Sequence, residues 1–238
     1  MLEFKEIIHL GCENWGLAVS DAALDRMEQF SDLLIEKNRV MNLTAVTEPP
    51  EIARRHMLDS LFLLTCANFS GTNTLDVGSG AGFPSVPLLC YDPAFQITPL
   101  DSTGKRMDFV RDACCAMGIS VSPVTGRAEE LARGPLRASF DLVVSRAVAP
   151  LNVLAELCLP FVRVGGSFLA MKTGGPEGEA ELREAEKAFA VLGGQFEDAP
   201  EYHIDGVEKP RQVLRIRKTR LTPEKYPRRY SKITDKPL

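Results

Sequence analysis

The sequence predicts an α/β protein, with a helical N-terminal region followed by a doubly wound, mainly parallel sheet. Three observations lead there. Beyond Gly71, short apolar runs alternate with amphipathic stretches, the signature of βαβ units. Before Gly71, apolar residues recur at the three- and four-residue steps of helices. Directly after the first apolar run comes a glycine-rich turn, at the strand end where open α/β sheets bind ligands.

The elements follow in order. Residues 2–68 read as helical. Residues 21–40 place Leu24, Met27, Phe30, Leu33 and Leu34 on helical steps, with Ser20 as a cap. After Asn42-Leu43-Thr44 and the Pro49-Pro50 break, residues 51–66 repeat the pattern through Ile52, Leu58, Leu61, Phe62 and Leu64. Pro50 suits a helix start, where its missing N–H has no intrahelical partner to lose. Strands are expected at 74–77, 96–100, 119–124, 141–144 and 166–172, with helices at 105–117 and 177–192. Residues 195–204 and 211–218 read as closing strands. Pro99, inside the second strand, demands a bulge or a place where no N–H is needed. The result is a helical region 1–68, an α/β domain 69–219 and a basic tail 220–238.

Composition narrows the function classes. With 45% apolar and 25% charged residues in 238, the chain is globular, which argues against global disorder, collagen or a coiled coil. Its most apolar stretch, 147–164, carries Pro150, Asn152, Glu156 and Pro160, which argues against a membrane span. Glu3, Lys5, Glu6 and Glu13 do not fit a secretory signal, so a cytoplasmic protein is expected. Six cysteines without a C-x-x-C pair read as reduced and buried, with no metal site. The net charge of −4 hides an asymmetry: from Val207 onward there are eleven Lys/Arg against three Asp/Glu. An acidic body with a basic end does not exclude nucleic acid.

The most informative segment is Thr74-Leu-Asp-Val-Gly-Ser-Gly-Ala-Gly-Phe-Pro84. Gly78, Gly80 and Gly82 let the backbone turn sharply off the strand and let a ligand approach it. A tight turn without a ligand is the bland alternative. The spacing is G-x-G-x-G, and the third glycine of a dinucleotide fingerprint would fall on Phe83. Asp76 precedes the loop, and Asp101 ends the next strand about nineteen residues on, where an acid can accept from both ribose hydroxyls. This arrangement resembles the S-adenosylmethionine-dependent methyltransferases of the Rossmann-like class I more than nicotinamide enzymes. A sulfonium cofactor has no pyrophosphate to cradle. Gly126-Arg127-Ala128-Glu129 follows the third strand, where backbone and acid can bracket an adenine. An ordinary helix N-terminal acid is the plainer reading of Glu129. Arg146 ends the fourth strand, where a surface salt bridge is the plainer reading. That strand is followed by neither D/N-P-P-Y nor Pro-Cys, and Cys158 reads as a core thiol.

With these residues assembled, the chain resembles the bacterial 16S ribosomal RNA guanine-N7 methyltransferase family, also called glucose-inhibited division protein B. The likeness rests on Asn42-Leu43-Thr44, His56-x-Leu58-Asp59-Ser60, residues 76–84, Asp101-Ser102 with Lys105-Arg106, Ser145-Arg146-Ala147 and Tyr226-Pro227-Arg228-Arg229. It implies a seven-stranded sheet and S-adenosylmethionine contacts at Gly78, Phe83, Ala128, Glu129 and Arg146. It also implies methyl transfer to N7 of a guanine in 16S ribosomal RNA, with that RNA or the small subunit as partner. Beyond Arg229 the tail reads Tyr-Ser-Lys-Ile, where the family more often has a small residue and Gly-x-Pro.

An RNA substrate requires a grip on phosphates. Arg211, Arg215 and Arg217 alternate along the last strand, and Arg220, Lys225, Arg228 and Arg229 follow around Tyr226 and Tyr230. Basic residues interleaved with aromatics suit phosphate contact and base stacking. The tail is expected to extend freely from a monomer. Two other readings stay open: a methyltransferase for a small molecule, which needs no basic tail, and a nucleotide-binding regulator without catalysis.

Overall fold

The computed structural model describes residues 2–146 and 148–238. Its elements run α1 (Phe4–Asn14), α2 (Asp21–Met41), α3 (Pro49–Ile52), a π-helical turn (Ala53–Leu58), α4 (Asp59–Leu61) and α5 (Leu63–Cys66). Next come β1 (Asn73–Val77), α6 (Ser85–Tyr91), β2 (Gln96–Asp101), α7 (Gly104–Ala116), β3 (Val124–Thr125), α8 (Ala128–Leu131) and β4 (Phe140–Arg146). The chain continues with α9 (Leu151–Cys158), a 3-10 turn (Leu159–Phe161), β5 (Val162–Thr173), α10 (Gly175–Leu192), β6 (Gly194–Asp198), β7 (Glu201–Tyr202), β8 (Arg211–Lys218) and α11 (Tyr230–Asp235).

The hydrogen-bonded strand order is β3-β2-β1-β4-β5-β8-β6, with β7 added on β8. Seven strands therefore lie on the main path, and β7 is a two-residue supplement. β1 with β4, β4 with β5, and β2 with β3 are parallel, whereas β8 runs antiparallel to β5, β6 and β7. This is the α/β fold with a mostly parallel sheet. Among the described residues no helix is long and apolar enough to cross a membrane.

Contacts divide the chain into two compact units, one of Met1–Gly71, Ser79–Thr125 and Ile204–Glu208, the other of Thr72–Gly78, Gly126–His203 and Lys209–Leu238. In the first, Ser20 Oγ accepts from Ala23 N at 3.2 Å and starts α2 as expected. Leu24, Met27, Phe30 and Leu34 form its buried stripe. α2 ends at Asn42 in the left-handed region, φ +48°. Asn38 then holds the following turn, its Oδ1 accepting from Leu43 N at 2.6 Å and Thr44 N at 2.9 Å.

Two expectations need correction here. Residues 51–66 do not form one α-helix, because Ala53–Leu58 is a π turn. The extra residue in that turn rotates the helical turns beyond it, and Leu63 is buried where the α-helical pattern expected Leu64. The expected strand 119–124 shrinks to Val124–Thr125, which pairs with Leu100 and Asp101. Pro123 immediately before β3 and Pro99 in β2 each lack an N–H, so the ladder has nothing to extend along.

The second unit buries Leu75, Val143, Val144, Leu169 and Leu214 within its part of the sheet, and α9 packs on α10 and on β4 and β5. The tail, expected to extend freely, belongs to this unit. Thr222, Tyr226 and Ile233 are buried. Arg137 donates to the carbonyls of Tyr226 at 2.9 Å, Thr222 at 2.7 Å and Pro223 at 3.3 Å, and Arg133 donates to Pro227 O at 2.5 Å. Glu156, fully buried, takes Arg228 through its backbone N–H at 2.7 Å and its guanidinium at 2.6 to 3.1 Å.

Lys218 closes the same junction. It follows Leu214 and Ile216 on the inward face of β8 and is 1% exposed. Its Nζ donates to Leu159 O at 2.7 Å, to Leu192 O at 2.9 Å and to Thr222 Oγ1. Three acceptors match the three donors of an ammonium. Burial, with Arg137 and Arg220 adding like charge, pushes Lys218 from the usual 10.5 down to about 7. The unfolded chain then binds a proton that the folded chain lacks between those values, so this residue makes stability rise with pH. The slope reaches at most about 1.4 kcal/mol per pH unit. Unfolding free energies of wild type and Lys218→Met should therefore diverge in favour of wild type from pH 7 to pH 9. A difference that does not change with pH would contradict the assignment.

Candidate functional site

In the first unit the glycine turn is bolted to the end of β2. Ser79 N donates to Leu100 O at 3.0 Å, and Gly82 N and Phe83 N both donate to Ser79 O, at 2.8 and 2.9 Å. Gly80 and Gly82 sit at φ +58° and +103°, and a Cβ on Gly82 would stand 2.5 Å from Val86 Cγ2. Asp101, 7% exposed, accepts from Gly80 N at 3.1 Å through Oδ2 and from Thr103 N at 2.8 Å through Oδ1. Each carboxylate oxygen keeps a second lone pair, so the group is held in place and still able to accept from a diol. Ser79 Oγ is buried without a hydrogen-bond partner among the described residues. Such a group is costly to leave unmatched, which suits a polar ligand at the turn.

Phe83 has its own support. Its ring stacks on His56 at 4.4 Å and 29°, and Phe30 lies 5.5 Å away. His56 Nδ1 is 3.0 Å from Arg55 O, and a carbonyl only accepts, so Nδ1 carries a proton. Nε2 lies 2.9 Å from Thr44 Oγ1, which also accepts from Val46 N at 3.0 Å. The Asn42-Leu43-Thr44 turn thus orients His56, and His56 backs Phe83. Neither link was legible beyond the motif itself.

The second unit holds the other expected residues. Asp76 is fully buried on β1, opposite Val144 of β4. Gly78 sits at φ +77°, where a Cβ would lie 2.3 Å from Val148 Cγ2. Ser145 Oγ donates to Val77 O at 2.7 Å and ties β4 to the end of β1. Ala128 and Glu129 open α8, Glu129 is 8% exposed, and Arg127 Nε donates to its Oε1 at 3.1 Å. Arg146, half-buried, ends β4, and Ala147 of the same motif lies outside the described residues. Cys158 is wholly buried and its thiol is pushed well up by that burial, as a core residue requires. Cys115 departs from the expected burial; it is exposed.

The family profile described as rRNA small subunit methyltransferase G matches residues 23–210. The ribosomal RNA small subunit methyltransferase G of Alkaliphilus metalliredigens (strain QYMF) is 39% identical over 240 residues, covering 100% of each chain. That of Clostridium novyi (strain NT) is 40% identical over 238 residues, 99% of this chain and 97% of the relative. The chain belongs to the rRNA small subunit methyltransferase G family. Among solved structures, a putative methyltransferase from Bacillus halodurans aligns with a TM-score of 0.53 at 16% identity, over 68% of this chain and 99% of that one. At that identity the likeness speaks for the fold, the Rossmann-like class I methyltransferase sheet.

In this member of the methyltransferase G family the expected cations fall into two groups. Arg217, Lys225 and Arg229 are exposed and make no side-chain hydrogen bond or ion pair among the described residues, the Lys225 ammonium lying 5.2 Å from the Tyr226 ring centre. The others are engaged: Arg215 Nε donates to Asp198 at 2.5 Å, Arg220 to Ala190 O, and Arg228 to Glu156. Arg211 is half-buried on β8. Nor is Tyr230 simply an open stacking platform, because Arg127 lies over its ring at 4.5 Å. Sequence reading missed Arg137, Glu156 and Lys218 as anchors of this region. Only Lys218 left a signal, as a cation in phase with Leu214 and Ile216 on the apolar face of β8.

Proposed function

We propose that this protein methylates N7 of a guanine in 16S ribosomal RNA, using S-adenosylmethionine. Full-length membership of the rRNA small subunit methyltransferase G family carries this reading. The chemistry of the site supports it. Asp101, steadied by two backbone N–H groups, suits a ribose diol, and the buried Ser79 hydroxyl is a polar group in want of a partner. Asp76, Gly78, Gly80, Gly82 and Phe83 would hold the amino-acid end, Ala128 and Glu129 the adenine, and Arg146 would stand on the side of the transferred group.

When bound, S-adenosylmethionine supplies an electrophilic sulfonium methyl. Guanine N7 is a lone-pair acceptor without a proton, so no residue has to act as a base. The chain's work is alignment, which in favourable systems accounts for about 7–11 kcal/mol of barrier. The A-form major groove is too narrow to admit this chemistry, so the target guanine must lie in a loop or be extruded while the enzyme grips nearby phosphates. Arg211, Arg215, Arg217, Arg220, Lys225, Arg228 and Arg229 are the proposed RNA-facing set. Arg217, Lys225 and Arg229 have the strongest support because they are exposed and make no side-chain hydrogen bond or ion pair among the described residues. In this reading 1–68 is an N-terminal helical region, 69–219 the S-adenosylmethionine-binding methyltransferase domain and 220–238 a basic segment facing RNA, in a cytoplasmic monomer.

Labelled S-adenosylmethionine, incubated with the protein and small subunits lacking the modification, should label guanine N7. A protein that binds the cofactor but transfers nothing to RNA would overturn the reading in favour of another substrate or a binding function. Replacing Arg217, Lys225 and Arg229 together by glutamine should weaken RNA binding and reduce the salt slope by about 2–3, at roughly 0.7–0.9 per lost phosphate contact. Filter binding across a salt series reads both. An unchanged slope would remove these cations from the interface.

A further inference from the structure

The docked C-terminal segment reaches α8. Tyr230, the first residue of α11, has its ring centre 4.5 Å from the guanidinium carbon of Arg127. The same guanidinium donates through Nε to Glu129 Oε1 at 3.1 Å. Arg127 is the N-cap residue of α8, and Glu129 lies in its first turn, 8% exposed. A planar guanidinium can rest its face on an aromatic ring while its edge donates to a carboxylate, and arginine alone does both at once. Tyr230 is itself held by a segment fixed elsewhere, through Arg137, Arg133 and the Glu156–Arg228 pair.

We infer that Arg127 and Tyr230 are positioning residues for Glu129, so that the C-terminal segment helps set affinity for S-adenosylmethionine. This rests on the proposed role of Glu129 at the adenine. With Oε1 taken by Arg127, Oε2 is the oxygen presented to an adenine amino group. The rotamer of Glu129 follows Arg127, and the rotamer of Arg127 follows the ring beneath it. Arg127 is 43% exposed along its side chain. Without the ring, its long chain regains rotamers in water and holds the carboxylate less of the time. The basic tail then contributes at two places, to RNA through its exposed cations and to the cofactor through one aromatic ring.

The test is calorimetric titration of the full chain with S-adenosylmethionine, comparing wild type with Glu129→Ala, Arg127→Ala, Tyr230→Ala, Tyr230→Phe and the Arg127→Ala/Tyr230→Ala double variant. Tyr230→Ala should raise Kd about twofold to fivefold, the range of an exposed cation–π contact. Tyr230→Phe keeps the ring and should bind like wild type. Arg127→Ala should weaken binding at least as much as Tyr230→Ala, and the double variant no more than Arg127→Ala alone, because the ring acts only through the guanidinium. General loosening of the tail would give neither phenylalanine rescue nor non-additivity. If Glu129→Ala weakens binding but Tyr230→Ala does not, or if the two effects add, the inference falls. If Glu129→Ala binds like wild type, the cofactor reading beneath it falls instead.

Discussion

A Gly78→Asp chain should lose at least about 100-fold in affinity for S-adenosylmethionine, which corresponds to about 2.7 kcal/mol. Two costs combine. Gly78 lies at φ +77°, a left-handed conformation that disfavours a residue with a Cβ by about 1–2 kcal/mol. That Cβ would also stand 2.3 Å from Val148 Cγ2, so either the turn or the Val148 segment must move. Aspartate adds a negative charge where the cofactor's own carboxylate end is proposed to sit. Gly78→Ala carries the backbone and steric costs without the charge and should fall between the two. Calorimetry on folded protein, checked by circular dichroism, separates loss of binding from loss of structure. An aspartate variant that binds within tenfold of wild type would remove this turn from the cofactor site.

The second large effect is on stability. Arg228→Ala leaves the fully buried Glu156 carboxylate with only a backbone N–H in place of the guanidinium. Removing one partner of a buried ion pair costs about 3–5 kcal/mol, because the remaining charge has lost its counterion without regaining water. For a chain of this length that lowers the melting temperature by about 6–20 °C, at about 2–4 °C per kcal/mol. Replacing both partners, with Glu156→Leu and Arg228→Met, should recover much of the loss, since no charge is then stranded. Melting curves of the three chains decide the matter. A single variant as stable as wild type would mean that water reaches Glu156 and that the pair is not an anchor.

The sequence made legible what local pattern controls. The glycine turn and the place of Asp101 at the end of β2 were legible because a backbone reversal after a strand needs glycine and because the apolar run before Asp101 marks the strand. The stripe of α2 and its Ser20 cap were legible for the same kind of reason, since a 3.6-residue period and a capping side chain act within a few residues. The π turn was not, because its single extra residue leaves no compositional mark. Nor was the shortening of β3: Pro99 was weighed without the Pro123 that faces it, and the ladder stops where both strands lack a donor. Most of all, counting charge could not separate exposed cations from engaged ones. Arg228 finds Glu156 across 72 residues, and Arg137 finds Thr222 across 85. Nothing local distinguishes these residues from Lys225 or Arg229.

The grip of Arg137 has a consequence for variation. It holds Ala132, Thr222, Pro223 and Tyr226 by their carbonyl oxygens, and Arg133 holds Pro227 the same way. Carbonyls are present whatever the side chain, so this part of the seat does not read the identity of the residues it fastens. Exposed positions such as Leu221, Glu224, Lys225 and Arg229 are therefore at liberty to drift, or to be randomised in a library, without unseating the segment. A chain with a different tail sequence can thus keep the same attachment while presenting a different surface.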